Sequence, residues 1–546
     1  MKIQRVKIRN FKGFQNVFSL SLNSGINLIV GDNEAGKSTI LEAIHLVLTG
    51  LYQGRSVQTD ISPYLFNERS VFSFLEALRE GKKVELPSLE IELFFEECKE
   101  TAAFCGDGNS EKANHCGISV KIEFDDDYKD GYAELLKAKE IKTLPVEYYR
   151  FDWKSFARKK ITPRSIPTKC ALIDSSVTRN YNGSDVYIGR VIKDLLSGEE
   201  IVALSQSHRQ MKEGFMDSPS IENLNKKLTG QNISHKPIKI AIDLSNRVAW
   251  ESSLTTYLSN VPFHQIGKGE QCLVKTRLAL SHNKAAEANL ILIEEPENHL
   301  SHATLNSLLN TIKHHTSGKQ IIITTHNSFV ANKLGLNDLI LLDNKNTVTL
   351  KNLDTTTQEF FEKIAGYDTL RFILCKKAIL VEGDSDELII QRAYMDNNQG
   401  KLPIEDGIEV ISVGVSFLRF LQIADNLEKN VCVVTDNDGD VHALKKKYLS
   451  YDIEGKENIK ICYDQNIDSG DLKIKDSPFN YNTLEPKIVQ ANGQKFIESI
   501  LGKTFQSIDE LHVYMRSNKT DCALRIFKSP EKIKFPDYIL RAIANE

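Results

Sequence analysis

The sequence of 546 residues is too long for one ordinary hydrophobic core, so it predicts two or more domains. Its 41% hydrophobic and 26% charged residues are typical of a globular protein, and it lacks the apolar stretches of a membrane span or a secretory signal. The net charge of −4 means that nucleic-acid binding would need local basic clusters. The nine cysteines lack framework spacing, which favours reduced thiols and a cytoplasmic location; we interpret the stretch with Cys98, Cys105, His115 and Cys116 as a surface loop rather than a zinc site.

The first chemical motif follows a short apolar run, Ile26 to Val30, and precedes apolar residues at helical spacing. Between them, GDNEAGKS fits the pattern G-x-x-x-x-G-K-[ST] in the strand-loop-helix context where such a loop binds phosphate. Its glycines let backbone N–H groups face the phosphates, Lys37 can reach the β- and γ-phosphates, and Ser38 can bind Mg²⁺. The predicted nucleotide-binding residues of this loop are Gly31, Asn33, Gly36, Lys37, Ser38 and Thr39.

A polar, helical pattern follows several further predicted strands, and we interpret it as a segment inserted into the first domain at about residues 160–235. Two continuous apolar strands, one ending in LILIEEPENHL and the next in IITTHNS, then predict a buried parallel sheet. At the end of the first, Glu294 can hold the Mg²⁺ shell and Glu295 can orient an attacking water. An acidic strand end at the surface is the alternative for this stretch alone. His326 follows the second strand, where it could touch a γ-phosphate.

A second strand-helix series begins at Ala378. The stretch AILVEGDSDE places Glu382 at the end of an apolar strand and Asp386 four residues later, close enough to face one centre across a strand-to-helix turn. Acidic residues in the first turn of a helix also interact favourably with its dipole. That ordinary explanation covers Asp386 but not Glu382, which precedes the helix.

Another predicted strand ends in VCVVTDNDGD. On an extended chain, Asp436 and Asp438 point to one side, and Asp440 joins them only if the chain stays extended through Gly439. With Glu382 these oxygen ligands predict an open site for Mg²⁺ or Mn²⁺, and without a cation their repulsion would raise one or more pKa values. Acidic residues gathered in a hairpin turn are the alternative, because Asp-Gly is a turn signal.

Four stretches of the first half, GDNEAGKS, IGKGEQ, LILIEEPENHL and TTHNS, together resemble the ATPase of ABC, SMC and RecF type, as does the opening IRNFKGF. The resemblance implies ATP as a ligand, Gly267 to Gln271 as the signature loop and His326 as the switch histidine. Glu294 stands where aspartate is usual, and the loop reads GKGEQ rather than SGGQ. The resemblance therefore implies nucleotide binding, with or without hydrolysis.

The second half resembles the Toprim domain of topoisomerases, primases and OLD-family nucleases, through Glu382-Gly383 on one strand and Asp-x-Asp on another. An ABC-type ATPase followed by Toprim is the arrangement of the OLD (overcoming lysogenization defect) family. The resemblance implies Glu485 as a further acidic ligand and Lys519 as a catalytic lysine; a surface charge on a helix is the alternative for both. The predicted metal ligands are Glu382, Asp386, Asp436, Asp438, Asp440 and Glu485, with Ser38 in the ATP site. The predicted catalytic residues are Glu382, Asp436, Asp438, Lys519 and Glu295.

We therefore expect an α/β chain: an ABC-type ATPase domain over residues 1–355 with a helical dimerisation insertion, followed by a Toprim α/β domain over 356–546. The expected function is a metal-dependent DNA endonuclease, regulated by ATP binding or hydrolysis, in anti-phage defence. Length and architecture most resemble the nuclease subunit of Gabija systems, which implies DNA as substrate, a dimer or tetramer, a UvrD-like helicase as a possible partner and no membrane association. The alternative is an SMC/RecF-like ATP-dependent DNA-binding repair protein without nuclease activity.

Overall fold

A computed structural model describes the chain apart from residues 54, 139–140, 164, 169, 175–179, 182–183, 186–195, 230–238, 243–254, 282–289, 315–317, 344, 351–352, 365, 367, 453–455 and 545–546. It divides into two compact units: Met1–Thr325 with Leu342–Thr347, and His326–Leu341 with the chain from Val348 onwards. No helix within the described parts is long and apolar enough to cross a membrane.

The strands are β1 (Ile3–Arg9), β2 (Phe18–Ser21), β3 (Ile26–Gly31), β4 (Leu51–Tyr52), β5 (Arg55–Ser56), β6 (Leu89–Phe95), β7 (Cys105–Gly106), β8 (His115–Phe124), β9 (Tyr149–Ser155), β10 (Cys170–Asp174), β11 (Asn180–Tyr181), β12 (Ser184–Asp185), β13 (Tyr257–Leu258), β14 (Val261–Pro262), β15 (Leu290–Glu294), β16 (Gln320–Thr324), β17 (Leu339–Asp343), β18 (Asn346–Thr349), β19 (Lys377–Val381), β20 (Ile408–Ser412), β21 (Asn430–Val434), β22 (Ile459–Cys462), β23 (Lys473–Ile474) and β24 (Ser477–Pro478).

The α-helices are α1 (Lys37–Thr49), α2 (Glu68–Arg79), α3 (Lys129–Ala138), α4 (Gly198–Met216), α5 (Pro219–Thr229), α6 (Lys268–Ser281), α7 (His302–His314), α8 (Ser328–Leu334), α9 (Thr355–Lys363), α10 (Thr369–Leu374), α11 (Asp384–Asn397), α12 (Phe417–Asn426), α13 (Val441–Lys447), α14 (Leu449–Asp452), α15 (Leu484–Asn492), α16 (Gln494–Leu501), α17 (Ile508–Ser517), α18 (Lys519–Lys528) and α19 (Asp537–Ile543).

The first unit contains two sheets. One is antiparallel, in the order β2-β1-β6-β8-β7 with β9 beside β8. The other begins with the parallel strands β10-β15-β16-β3; β17 and β18 complete its order, and the division between the two units runs through them. Strands β15 and β16 are buried almost throughout, which confirms the predicted parallel sheet. Because parallel strands end at one edge, the loops after β3, β15 and β16 lie together.

The predicted insertion contains helices α4 and α5, and no residue of α4 is buried. One side of α4, at Ile201, Ser205, His208, Lys212 and Met216, is partly covered. Parts of the segment from 160 to 235 lie outside the described residues, and its dimerisation role stays a prediction.

A disulfide joins Cys105 of β7 to Cys116 of β8. These residues are direct partners in the antiparallel register, so their side chains lie on the same face of the strand pair. The prediction that the cysteines are all reduced is therefore wrong for this pair, while the other seven form no disulfide bond. The disulfide also excludes a zinc site that uses these two sulfurs.

The second unit is built on a parallel sheet in the order β20-β19-β21-β22. Helices α11, α15, α17, α18 and α19 contribute apolar side chains to one buried cluster with β19 and β21. The carboxyl ends of β19 and β21, neighbours in this sheet, carry Glu382 and Asp436. The parallel arrangement therefore brings together two residues that are more than fifty positions apart in sequence.

The second unit begins earlier than the predicted domain boundary, at His326. Helix α8 is tied to the start of α10 by two side-chain hydrogen bonds. Ser328 Oγ donates to Asp368 Oδ1 at 2.6 Å, and Thr369 Oγ1 donates to Asn332 Oδ1 at 2.5 Å in a buried position. These polar links, which hydropathy patterns do not reveal, place α8 with the helices that follow it.

Candidate functional site

The glycine loop of the first unit turns at Gly36, which has a φ of 104°. A Cβ atom there would lie 2.7 Å from the Phe14 ring, so only glycine fits this conformation and this space. Helix α1 begins directly afterwards, and Gly36 provides no side-chain cap. The first N–H groups of α1 therefore point out of the helix end without a capping side chain, which suits an anionic phosphate.

Lys37, the first residue of α1, lies back over the loop. Its ammonium donates to the carbonyl oxygens of Gly31 at 2.7 Å and Asp32 at 2.9 Å. Burial lowers the pKa of Lys37, and nearby carboxylates, Glu295 foremost, oppose that shift. A buried cation held by carbonyl dipoles can exchange those contacts for phosphate oxygens. Ser38 and Thr39 lie in the same first turn.

The acidic residues after β15 face the same loop. Glu294 ends the strand, and Glu295 follows with a φ of 43°. Glu295 is fixed on two sides: its N–H donates to Thr324 O at 2.9 Å, and its Oε2 accepts from Asn298 Nδ2 at 2.7 Å. Both carboxylates act electrostatically on Lys37, so the structure brings these predicted residues together.

The sequence reasoning missed two residues at this edge, Thr325 and Glu297. Thr325 Oγ1 donates to Glu297 Oε1 at 2.5 Å, and Glu297 is another carboxylate that acts on Lys37. Glu297 could have been predicted from the sequence, because it is the third acidic residue of the stretch EEPEN. His326 directly follows Thr325 in the chain and is the first residue of the second unit.

The predicted signature loop packs closely on the segment that follows Glu295. A Cβ atom on Gly269 would lie 2.2 Å from the carbonyl oxygen of His299, so the glycine is needed for this approach. Gln271 is buried and donates through Nε2 to Ile266 O at 2.9 Å. The loop is therefore held by its own backbone and by the acidic segment.

In the second unit, Glu382 and Asp386 flank the turn between β19 and α11. Glu382 is exposed, while Asp386 is partly buried and accepts a hydrogen bond from Gly383 N at 3.1 Å. Asp386 lies in the first turn of α11, where its carboxylate accepts this N–H, and it also faces other acids. Burial, followed by Glu485 and Glu382, raises the pKa of Asp386 to about 6.

Asp436 and Glu485 complete this carboxylate cluster, which we define as Glu382, Asp386, Asp436 and Glu485. Burial, followed by the charges of the other three members, raises the pKa of Asp436 well above its ordinary value. Glu485 lies in the first turn of α15 and is 6% exposed. The cluster therefore runs from a buried floor at Glu485 to an exposed rim at Glu382.

Lys519, the first residue of α18, supplies a positive charge at the cluster. Its Nζ lies 3.1 Å from Glu485 Oε1, and its side chain is about half exposed. Burial opposes the charged form, but Glu485 and Asp436 outweigh this effect and raise the pKa of Lys519. One ammonium therefore faces four carboxylates, and the negative charge of the cluster is only partly compensated.

The cluster fits a divalent cation in its chemistry. All four members offer carboxylate oxygens, the ligands that Mg²⁺ and Mn²⁺ prefer. A cation would also relieve the repulsion that raises the pKa values of Asp386 and Asp436. Within the described residues, no three Asp, Glu, His or Cys side chains already stand as a formed metal site, so the carboxylates would turn toward the ion on binding.

Asp438 and Asp440 do not follow the extended-chain prediction. Asp438 has a φ of 47° and Gly439 a φ of 81°, so the chain turns where extension was predicted. The Asp438 carboxylate accepts from Asn480 Nδ2 at 2.9 Å, and Asp440 caps α13 by accepting from Ala443 N at 2.9 Å. That part of the prediction is wrong, and metal binding by these two residues stays a prediction.

A buried amide holds this turn in place and was missed in the sequence. Asn437 is 2% exposed; its Nδ2 donates to Asp464 O at 2.6 Å and to Asn466 O at 3.0 Å, and its Oδ1 accepts from Gly439 N at 3.0 Å. Lys487 fastens the same neighbouring segment through an ion pair with Asp464 at 2.7 Å. The position of Asn437 between two aspartates gave no signal of this role.

Replacing Asp386 by Asn should stabilise the metal-free protein at neutral pH. Because its folded pKa of about 6 lies above the ordinary carboxyl value, ionisation of Asp386 costs stability, and this cost grows as pH rises through the range between the two values. The shift corresponds to at most about 3 kcal/mol. Urea unfolding in EDTA should show a stabilisation about 1 kcal/mol larger at pH 7.5 than at pH 5.

Asp440→Asn is the matched control, because Asp440 is exposed and lies in the same segment as Asp436. It should give no stabilisation at pH 7.5. An Asp386→Asn protein that is no more stable than the wild type at pH 7.5 would show that the charge of Asp386 is already compensated.

Family models match both units. The model described as "AAA domain" matches residues 5–230, and "AAA domain, putative AbiEii toxin, Type IV TA system" matches residues 205–332. The model "Overcoming lysogenization defect protein-like, TOPRIM domain" matches residues 373–438, a range that contains Glu382, Asp386 and Asp436.

Curated relatives match over short stretches. DNA replication and repair protein RecF of Shewanella sp. (strain MR-4) is 37% identical over 90 residues, which are 16% of this chain and 24% of the relative. DNA double-strand break repair Rad50 ATPase of Pyrococcus abyssi is 41% identical over 58 residues, which are 11% of this chain and 6% of the relative. The chain therefore spans less than a quarter of the length of these relatives.

Among solved structures, the SMC head domain from Thermotoga maritima has a TM-score of 0.28 and 13% identity, covering 62% of this chain and 94% of that one. The Smc head domain with an extended coiled coil from Pyrococcus furiosus, bound to the C-terminal domain of ScpA, has a TM-score of 0.33 and 14% identity, covering 66% and 99%. At such scores the fold rests on the strand order and the motifs. With an AAA-type ATPase domain followed by an OLD-like TOPRIM domain, the chain matches the OLD (overcoming lysogenization defect) family of nucleases.

Proposed function

We propose that this protein is a metal-dependent DNA endonuclease whose cleavage is controlled by ATP in the first unit. The observation that carries the proposal is the carboxylate cluster with Lys519, in the unit that matches an OLD-like TOPRIM domain. Burial and the neighbouring carboxylates raise the pKa values of Asp386 and Asp436, so their ionised forms are unfavourable without a cation, and a structural role alone gives no reason to retain them. Mg²⁺ or Mn²⁺ is the proposed metal.

In this proposal, the cluster residues Glu382, Asp386, Asp436 and Glu485 hold the cation. A divalent ion held there would lower the pKa of a water and would offset charge on the scissile phosphate. Lys519 stays protonated at neutral pH because the cluster raises its pKa, and its half-exposed ammonium can reach a phosphate oxygen. Glu382, on the exposed rim, is the member that arriving DNA meets first.

ATP is proposed as a regulator rather than an energy source, because hydrolysis of a phosphodiester is favourable without it. The loop from Gly31 to Thr39 would bind the phosphates, with Lys37 as the principal charge. Glu294 would share in holding Mg²⁺ with Ser38, and Glu295, fixed by Asn298, would orient water if ATP is hydrolysed. His326 keeps its proposed contact with the γ-phosphate.

The wider setting is also proposed. The resemblance to the nuclease subunit of Gabija systems supports anti-phage defence in the cytoplasm, a homo-oligomer assembled as a dimer or tetramer, and a UvrD-like helicase as partner. DNA as the substrate is supported by the OLD-like TOPRIM match and by the repair functions in the names of the RecF and Rad50 relatives. The domain boundary near residue 355 belongs to the same proposal.

A second candidate function is an ATP-dependent DNA-binding repair protein without nuclease activity. The observation that favours it is the identity of up to 45% to RecF, here over 56 residues in the Stenotrophomonas maltophilia protein. This candidate requires DNA binding without metal and no strand cleavage. It leaves the carboxylate cluster without a role.

Replacing Asp436 by Asn should abolish cleavage of supercoiled and linear DNA in Mg²⁺ or Mn²⁺, with a loss of at least ~100-fold, because it removes a carboxylate oxygen at the centre of the cluster. Asp425→Asn is the control in the same unit and should keep activity within about threefold, since its carboxylate lies on α12, outside the carboxylate cluster, and pairs with Lys456. Gel assays of nicking and linearisation measure both. Equal cleavage by the wild type and Asp436→Asn would remove the cluster from the reaction.

Replacing Lys37 by Ala should abolish ATP binding and the response of cleavage to ATP, while cleavage without nucleotide persists. The reason is that Lys37 supplies the charge for the β- and γ-phosphates and lies outside the second unit. Fluorescent-nucleotide binding and cleavage assays with and without ATP test this. Lys12→Ala, which removes another partly buried lysine of the first unit, is the control. A Lys37→Ala protein that still responds to ATP would assign regulation to another site.

A further inference from the structure

We infer that Arg392 is a positioning residue for Lys519: it fixes the axial position of α18 against α11, and through it the place of the ammonium at the carboxylate cluster. The expected effect of Arg392 on DNA cleavage rests on the proposed function, whereas the contacts between Arg392 and α18 are independent of it. Arg392 lies in the middle of α11, is 6% exposed and is outside the cluster itself.

Helices α11 and α18 both begin at the cluster. The first turn of α11 carries Asp386, and the first residue of α18 is Lys519. Arg392 is six residues beyond Asp386, and its contacts on α18 begin seven residues beyond Lys519. The two helices therefore run side by side in the same direction, and Arg392 meets the far end of α18 about 10 Å from the cluster.

The guanidinium of Arg392 binds carbonyl groups in the last turn of α18 and beyond its end; one of them, Ile526 O, also accepts from Ser529 N at 3.2 Å. Its Nη atoms donate to the carbonyl oxygens of Ile526 at 3.1 Å, Phe527 at 2.9 Å, Ser529 and Glu531 at 2.8 Å. Its Nε donates to Asp396 Oδ1 at 2.8 Å on the next turn of α11. The guanidinium is thus held by a residue of its own helix, α11, and donates hydrogen bonds to the end of the other helix, α18.

This arrangement fixes a helix position in a way that apolar packing cannot. Side chains between α11 and α18 form part of an apolar cluster, and such contacts tolerate small shifts of one helix along the other. Four carbonyl acceptors around one planar group do not, because a shift would break several of these charge-assisted hydrogen bonds at once. Lysine, with a single ammonium, cannot reproduce the fork.

Lys519 depends on this position because its own anchoring is limited. Its side chain is about half exposed, and its ion pair is with Glu485 on a different helix, α15. If α18 moved along its axis, the ammonium would shift relative to Asp386 and Asp436. Arg392 therefore acts on the reaction through Lys519, since its own hydrogen bonds go to Asp396 and to carbonyl groups at and beyond the end of α18.

A double-mutant cycle tests this inference. Arg392→Lys should lower metal-dependent DNA cleavage by ~10- to 100-fold in the wild-type background, as a displacement of a charged group costs. In a Lys519→Met background, the same change should lower the residual cleavage by less than about twofold, because the group that it displaces is gone. Asp396→Asn removes the carboxylate that holds the guanidinium on one side. It should give a smaller loss of DNA cleavage with the same dependence on Lys519, and it replaces Arg392→Lys in the cycle if that variant does not fold.

The same cycle is read by calorimetry of Mn²⁺ binding, which needs no cleavage. Lys519→Met should tighten Mn²⁺ binding by removing a competing cation, and Arg392→Lys should tighten it in part, only when Lys519 is present. Leu421→Ala is the matched control. It removes a buried side chain of α12 that lies outside the apolar core shared by α11 and α18, so its effect on Mn²⁺ affinity should add to that of Lys519→Met.

The outcomes separate the two claims. Coupled Mn²⁺ binding in a protein that cuts no DNA would support the role of Arg392 and contradict the nuclease proposal. Cleavage by the wild type with additive effects of Arg392→Lys and Lys519→Met, in both measurements, would overturn the role of Arg392.

Discussion

Repulsion among carboxylates at one edge of a parallel sheet is the constraint on which the second unit depends. Neighbouring strands β19 and β21 deliver Glu382 and Asp436 to that edge, and α11 and α15 add Asp386 and Glu485. Burial and mutual repulsion raise the pKa values of Asp386 and Asp436. Lys519 compensates part of this charge, and a divalent cation would compensate the rest.

The surrounding structure is arranged so that this unfavourable cluster is held rather than dispersed. Asp386 is fixed by the N–H of Gly383, and the turn after Asp436 is fixed by the buried amide of Asn437. At the far end of α18 from the carboxylate cluster, Arg392 holds the helix in place and with it Lys519. Carboxylates held together in this way cost stability in the folded protein, and a bound cation would offset that cost.

The first unit uses the same edge of a parallel sheet for a different ligand. The loop after β3 offers N–H groups and Lys37, and the segment after β15 offers Glu295. Here the lysine is buried among carbonyl oxygens and carboxylates, a balance that an anionic phosphate with Mg²⁺ can replace. In the proposed function, the two units therefore bind complementary ligands: phosphate in the first unit and a divalent cation in the second.

Features set by local sequence could be predicted, and features set by backbone turns or distant contacts could not. The strand-loop-helix at Gly36 and the strand ends at Glu382 and Asp436 were predictable because apolar strands and glycine positions mark them directly. The positive φ of Asp438 could not be predicted, and it makes wrong the expectation that Asp436 and Asp438 lie on one side of an extended chain. Glu485 and Lys519 required the family resemblance, since nothing near them in sequence shows that α15 and α18 reach the cluster. Anomalous diffraction from crystals soaked in Mn²⁺ tests most directly whether the carboxylate cluster binds a divalent cation. We expect an anomalous peak bound by Glu382, Asp386, Asp436 or Glu485, and soaked crystals with no peak at this cluster would contradict its role as a metal site.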